Sequence, residues 1–190
     1  TNKYPNQDGI DLRKGCHDIL IENITGVTGD DTIALTGLRS DKPAPGRVSM
    51  QIGGRAPRED DDIYNVVIRN VKTRVAGGHH IVRLLNHDGV KIYNIFITNV
   101  IDTSSGNQAR AKAAIKIGDT GYSSIRRSTL GETYNVFVDT VLSRAQNVVL
   151  IQGTLKNSVL RNIVGHDGNS RLVQTGGMPT ENVVVDAHQF

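Results

Sequence analysis

The sequence predicts an all-β chain, a right-handed parallel β-helix in which a single solenoid of about six to seven coils fills residues 1–190 as one domain. Three observations carry this. A short unit recurs, beginning with Asn and continuing aliphatic, any, aliphatic, polar, polar, aliphatic; it reads YNVVIRNV at 64–71, YNIFITNV at 93–100 and YNVFVDTV at 134–141. Apolar residues alternate with a period of two, the strand signature, and no long window shows the 3.6-residue period of a helix. The apolar residues are mainly Ile, Val and Leu, with only 4% aromatic residues, a composition that favours strands.

The elements follow in order. Looser copies of the first unit are HDILIENI at 17–24, KNSVLRNI at 156–163 and ENVVVDAH at 181–188. A second, shorter unit follows the first five: TIALTG at 32–37, IVRLLN at 81–86, AIKIGD at 114–119, VVLIQG at 148–153 and LVQTGG at 172–177. VSMQIGG at 48–54 reads as an extra copy of this second kind, on a coil of its own. From Asn65 the first-unit asparagines recur after 29, 41, 22 and 25 residues, so regular strands are separated by connections of variable length. One such coil cannot bury its apolar face, whereas stacked coils can. The repeated Asn is expected to form a structural ladder of side-chain amides at a turn, since it recurs in coils that lack acids.

Composition narrows the function. With 22 basic and 19 acidic residues dispersed along the chain, the net charge of +3 gives no basic patch for nucleic acid. No apolar run is long enough to span a membrane as a helix. Cys16 is the only cysteine, so an internal disulfide and a zinc-finger pattern are both excluded, and a buried free thiol is expected. Asp60-Asp61-Asp62 reads as a solvated turn, and no Asp/His group has metal-ligand spacing, so neither metal nor cofactor is expected.

Two heptads align column by column, Asn6-Gln-Asp-Gly-Ile-Asp-Leu12 and Gly29-Asp-Asp-Thr-Ile-Ala-Leu35. Ile10/Leu12 and Ile33/Leu35 take the core face. If the strands are parallel neighbours, Asp8, Asp30 and Asp31 meet at one edge. Singly, Asp-Gly and Gly-Asp-Asp are ordinary turn sequences. Jointly, in register, they put three carboxylates in one place, which is costly unless chemistry uses them.

These heptads resemble the paired signature of family 28 glycoside hydrolases, the polygalacturonase group of the pectin-lyase-like β-helices. That family has Asn-Thr-Asp-Gly-Ile, then Gly-Asp-Asp-x-Ile-Ala one coil later, then Gly-His-Gly, then Arg-Ile-Lys. The resemblance covers about residues 6–120. It implies an inverting hydrolase of a pectin-like polysaccharide, galacturonide or rhamnogalacturonide, with Asp30 as general acid and Asp8 and Asp31 holding and activating the water. It also implies a secreted or periplasmic enzyme. The chain departs at the later motifs: counting 48–54 as a coil puts Arg47 in the histidine column, and Ile81-Val82-Arg83 where Arg-Ile-Lys is expected. Arg83 then keeps the lysine column, with Lys116 one coil further on.

Arg47, Arg83 and Lys116 read either as a line of cations that grips an acidic sugar chain or as a solvated face that neutralises Asp11 and its neighbours. His79 and His80 read either as sugar-binding or proton-carrying groups or as turn residues. The polysaccharide is the one partner expected, with no nucleic acid and no membrane. Because the chain begins almost at the acidic coil, it is expected to be a fragment lacking N-terminal coils, and an exposed β-helix end invites association. Two other functions fit the same pattern: a non-catalytic β-helical carbohydrate-binding or adhesin module, and a polysaccharide lyase.

Overall fold

The computed structural model describes residues 7–38, 58–120, 126–166 and 168–189. Among these residues, twelve strands form two six-stranded sheets, and every pairing between these strands is parallel. Short strands β1 (Ile10–Arg13), β3 (Ile33–Gly37), β5 (His80–Asn86), β7 (Ala113–Ile117), β9 (Asn147–Ile151) and β11 (Arg171–Thr175) make the first sheet in that spatial order. Long strands β2 (His17–Thr28), β4 (Ile63–Val75), β6 (Ile92–Asp102), β8 (Thr133–Ser143), β10 (Leu155–Gly165) and β12 (Thr180–Gln189) make the second. Each strand pairs with the strand two further along the chain. That is the connectivity of a parallel β-helix-like solenoid, and a single 3₁₀ turn, Glu59–Asp61, is the only helical element among the described residues.

Register stacks like on like. Ile33, Val82, Ile115, Val149 and Val173 form one inward column, and Ile68, Ile97, Val138 and Leu160 form another. Nearly all of these side chains have no exposed surface, so one continuous aliphatic core runs between the sheets. Cys16 packs against this core only half-buried, short of the full burial expected.

The long strands are bent rather than straight, and asparagine makes the bends. Asn65, Asn94, Asn135, Asn157 and Asn182 all have φ between 49° and 54°. A left-handed residue costs most side chains about 1–2 kcal/mol, and Asn among the least. In β4 the inward–outward alternation slips by one residue at Tyr64–Asn65 and again at Arg69–Asn70, so each left-handed Asn turns a corner. The expected amide ladder is present: Asn65 Nδ2 donates to Asp18 at 2.8 Å, Asn94 to Asn65 at 3.0 Å and Asn135 to Asn94 at 3.0 Å. A second ladder, unexpected from sequence, runs from Asn99 to Asn70 to Asn23 at 2.9 and 3.1 Å.

Two expectations are corrected. β3 pairs directly with β5, Ile33 against Val82, so no coil built from 48–54 separates them. Residues 48–54 and Arg47 lie outside the described residues. The error arose because short aliphatic runs ending in glycine look alike, and only the partner strand fixes the register. Asp61 and Asp62 are also buried rather than solvated: Asp62 Oδ1 accepts the Lys91 amide at 2.8 Å, and Asp61 Oδ2 accepts the Arg58 amide at 3.1 Å.

Candidate active site

The acids meet where the first sheet begins. Because Ile10 pairs with Ile33 and Ile33 with Val82, Asp8 stands in the column of Asp31 and then His80, while Asp30 stands in the column of His79. The backbone repeats this register, with the Gly9 amide donating to Asp31 O at 2.9 Å and the Thr32 amide to His80 O at 3.0 Å. Glycine at position 9 permits the approach, since a Cβ there would lie 2.6 Å from the Thr32 carbonyl oxygen. Hydroxyls tie the coils below the acids. Thr28 Oγ1 donates to Asp30 O at 2.8 Å, and Thr32 lies within 3.1 Å of Thr28 and 3.2 Å of Thr73.

Asp31 has no exposed surface. Its Oδ1 accepts the His80 amide at 2.9 Å and faces His80 Nδ1 at 2.8 Å. Its Oδ2 lies 2.9 Å from Arg83 Nε, an ion pair by distance whose N–H is not aligned as a hydrogen bond. Burial pushes the Asp31 carboxyl up, but the His80 hydrogen bond and the Arg83 charge outweigh it and hold the group below the ordinary range. Burial pushes His80 down against the pull of Asp31, so the imidazole is neutral and Nδ1–H donates to the ionised carboxylate.

The Asp8 carboxyl holds its proton above the ordinary carboxylate range. Burial raises it first, and the charges of Asp30, Asp31 and Asp11 add to this. Its Oδ1 is buried without a partner among the described residues. Asp30 is more open than Asp31, with a side chain 16% exposed, and its Oδ1 accepts the Asp31 amide at 2.9 Å while standing 3.0 Å from His79 Nδ1. Asp30, Asp31 and His79 place one ligand atom each within 4.8 Å of one another, a grouping with metal-ligand geometry that the sequence spacing does not reveal.

The structure therefore brings Asp8, Asp30, Asp31, His79 and His80 together on three adjacent coils. Arg83 and Lys116 share a column as expected, beside Asp11 and Ala34. Both cations, however, are held by acids of this chain: Arg83 by Asp31, and Lys116 by Asp119 at 2.5 Å. Sequence reasoning missed Lys112. The His80–Ala113 pairing puts Lys112 beside His79, its amide donates to His79 O at 2.9 Å, and it is exposed. The available signal was the alternation itself, since Lys112 and Lys116 are separated by an even number of strand positions.

No protein-family model, curated protein or solved structure matches this chain.

Proposed function

We propose that this acidic cluster is the catalytic centre of an inverting glycoside hydrolase that cleaves a pectin-like polysaccharide, galacturonide or rhamnogalacturonide, outside the cytoplasm. The observation that carries the reading is the meeting of Asp8, Asp30 and Asp31 on adjacent coils, beside a histidine on the next. Corrected register also improves the resemblance to family 28. Its four motifs, on four successive coils, fall on Gln7-Asp8-Gly9-Ile10, Gly29-Asp30-Asp31, Gly78-His79-His80 and Ala114-Ile115-Lys116. The departures are Gln7 for Thr, His80 for the second glycine and Ala114 for the arginine.

Inversion needs an acid at the leaving oxygen and a base on a water across the sugar, with the two carboxyl groups about 6.5–9.5 Å apart. Asp8 and Asp30 lie on neighbouring coils, about 4.8 Å apart along the axis, and one residue out of register. That offset favours a separation beyond a single coil. By the resemblance Asp30 donates the proton as the bond to the leaving oxygen breaks. Asp8, ionised, takes a proton from the water that forms the new bond. Asp31 lies beneath the surface, so its part is to fix His80 and Arg83 and to supply negative charge, rather than to touch the water.

A second reading, a carbohydrate-binding module without turnover, is favoured by the burial of Asp31 and the alanine at 114. One product analysis decides. Incubation with pectin-like polysaccharide is expected to release new reducing ends on saturated sugars, with the anomeric configuration inverted in an early proton NMR spectrum. Unsaturated ends would make it a lyase, and absence of cleavage would favour the binding module.

A further inference from the structure

The outward column that holds Asp30 continues through His79 and Lys112 to Gln146, one residue per coil. Lys112 and Gln146 are exposed, and Lys112 makes no ion pair among the described residues. The column of Arg83 and Lys116 differs. Those side chains are only 12% and 9% exposed, and each already faces a carboxylate of this chain. An incoming sugar acid would have to compete with Asp31 or Asp119 for them.

We propose that Lys112, rather than Arg83 or Lys116, selects an acidic sugar, binding the carboxylate of the ring two places from the cleaved bond, with Gln146 beside the next ring. The inference takes the position of the cleaved bond, and a polysaccharide lying along the axis, from the hydrolase reading above. Coils repeat at about 4.8 Å, close to the advance of one pyranose in an extended chain. Asp30 to Lys112 is two coils, so the ring that meets the ammonium is the second along. An exposed lysine on a flexible stem suits this task, because a single point charge can follow a carboxylate without a fixed fork geometry. Its neighbour His79 already has Nδ1 against Asp30, which keeps that imidazole with the acid.

The test is equilibrium binding of a galacturonate oligomer and of its methyl ester to the full chain, wild type and Lys112→Met, over a range of salt. Lys112→Met is expected to weaken binding of the free acid about fivefold at low ionic strength, a loss that fades as salt screens the charge. The methyl ester is expected to bind both proteins alike. Lys112→Glu should weaken the free acid further and spare the ester. Equal loss on both ligands, no loss on either, or no salt-sensitive binding by the wild-type chain would overturn the proposal. Turnover is scored separately: Lys112-dependent binding without bond cleavage rejects the hydrolase and keeps Lys112 as the acid-reading residue.

Discussion

Asp31 and Asp8 share a column one coil apart, yet their surroundings drive them in opposite directions, and that contrast is measurable. Asp31 is ionised, buried and paired, so Asp31→Asn removes the negative end of the Arg83 ion pair and weakens the His80 hydrogen bond. Removal of one partner of a buried pair costs about 3–5 kcal/mol, and a large fall in the urea midpoint is expected. With its pKa held down, Asp31 contributes stability that is present above the unfolded carboxylate range and lost as pH falls through its folded value. Asp8 has the opposite sign. Its raised pKa means that the native state binds the proton more tightly than the unfolded chain, so stability falls as pH rises between the two values. Asp8→Asn is therefore expected to raise the Tm at neutral pH while it slows turnover, and to leave the Tm little changed in acid. A lower Tm at neutral pH would contradict the described surroundings of Asp8. In the base role proposed for it, Asp8 would place the acid limb of the rate profile above the ordinary carboxylate range, and Asp11→Asn should move that limb to lower pH.

At the scale of the element, the corners hold the solenoid in shape. Asn94 sits at φ 54°, accepts the amide of Asn135 and donates to Asn65. Asn94→Ala loses the ladder bonds and places a Cβ residue in the left-handed region, at a combined cost of about 1–3 kcal/mol. Asn94→Gly loses the bonds but not the backbone freedom, so it should cost less, and equal losses in a urea titration would remove the backbone part of this account. Strand type, the alternation and this first ladder were legible in the sequence because each repeats on nearly every coil. The second ladder was not. Its Asn70 and Asn99 follow another polar residue, and two polar residues in succession read as an exposed step rather than as a second corner. Solvation alone does not mark the positive φ that distinguishes them.

At the scale of the whole molecule, coils contact their neighbours, so register is the property that decides function. The convergence of Asp8 with Asp30 and Asp31 was legible because the two heptads are 23 residues apart and nearly identical in pattern. The next step was not legible. Ile33 and Val82 are 49 residues apart, and the aliphatic run at 48–54 looks like a strand of the same kind. Counted as a coil, that run sets His79 and His80 one coil further from the acids than they stand, while Arg83 keeps its column beside Lys116 and lies against Asp31. Burial, unlike spacing, separates a cation that meets a ligand from one that closes an internal pair.

The central claim, that the carboxylates at the head of the first sheet hydrolyse a glycosidic bond, is tested most directly by the kcat of Asp30→Asn on a pectin-like polysaccharide, read as new reducing ends. Asparagine preserves size and hydrogen bonding but cannot give up the proton the leaving oxygen needs. Loss of a general acid is typically worth 10²–10⁴-fold, so kcat is expected to fall by about that factor while KM stays near the wild-type value. Wild-type kcat in a folded Asp30→Asn protein would contradict the account and leave Gly29-Asp30-Asp31 as a turn.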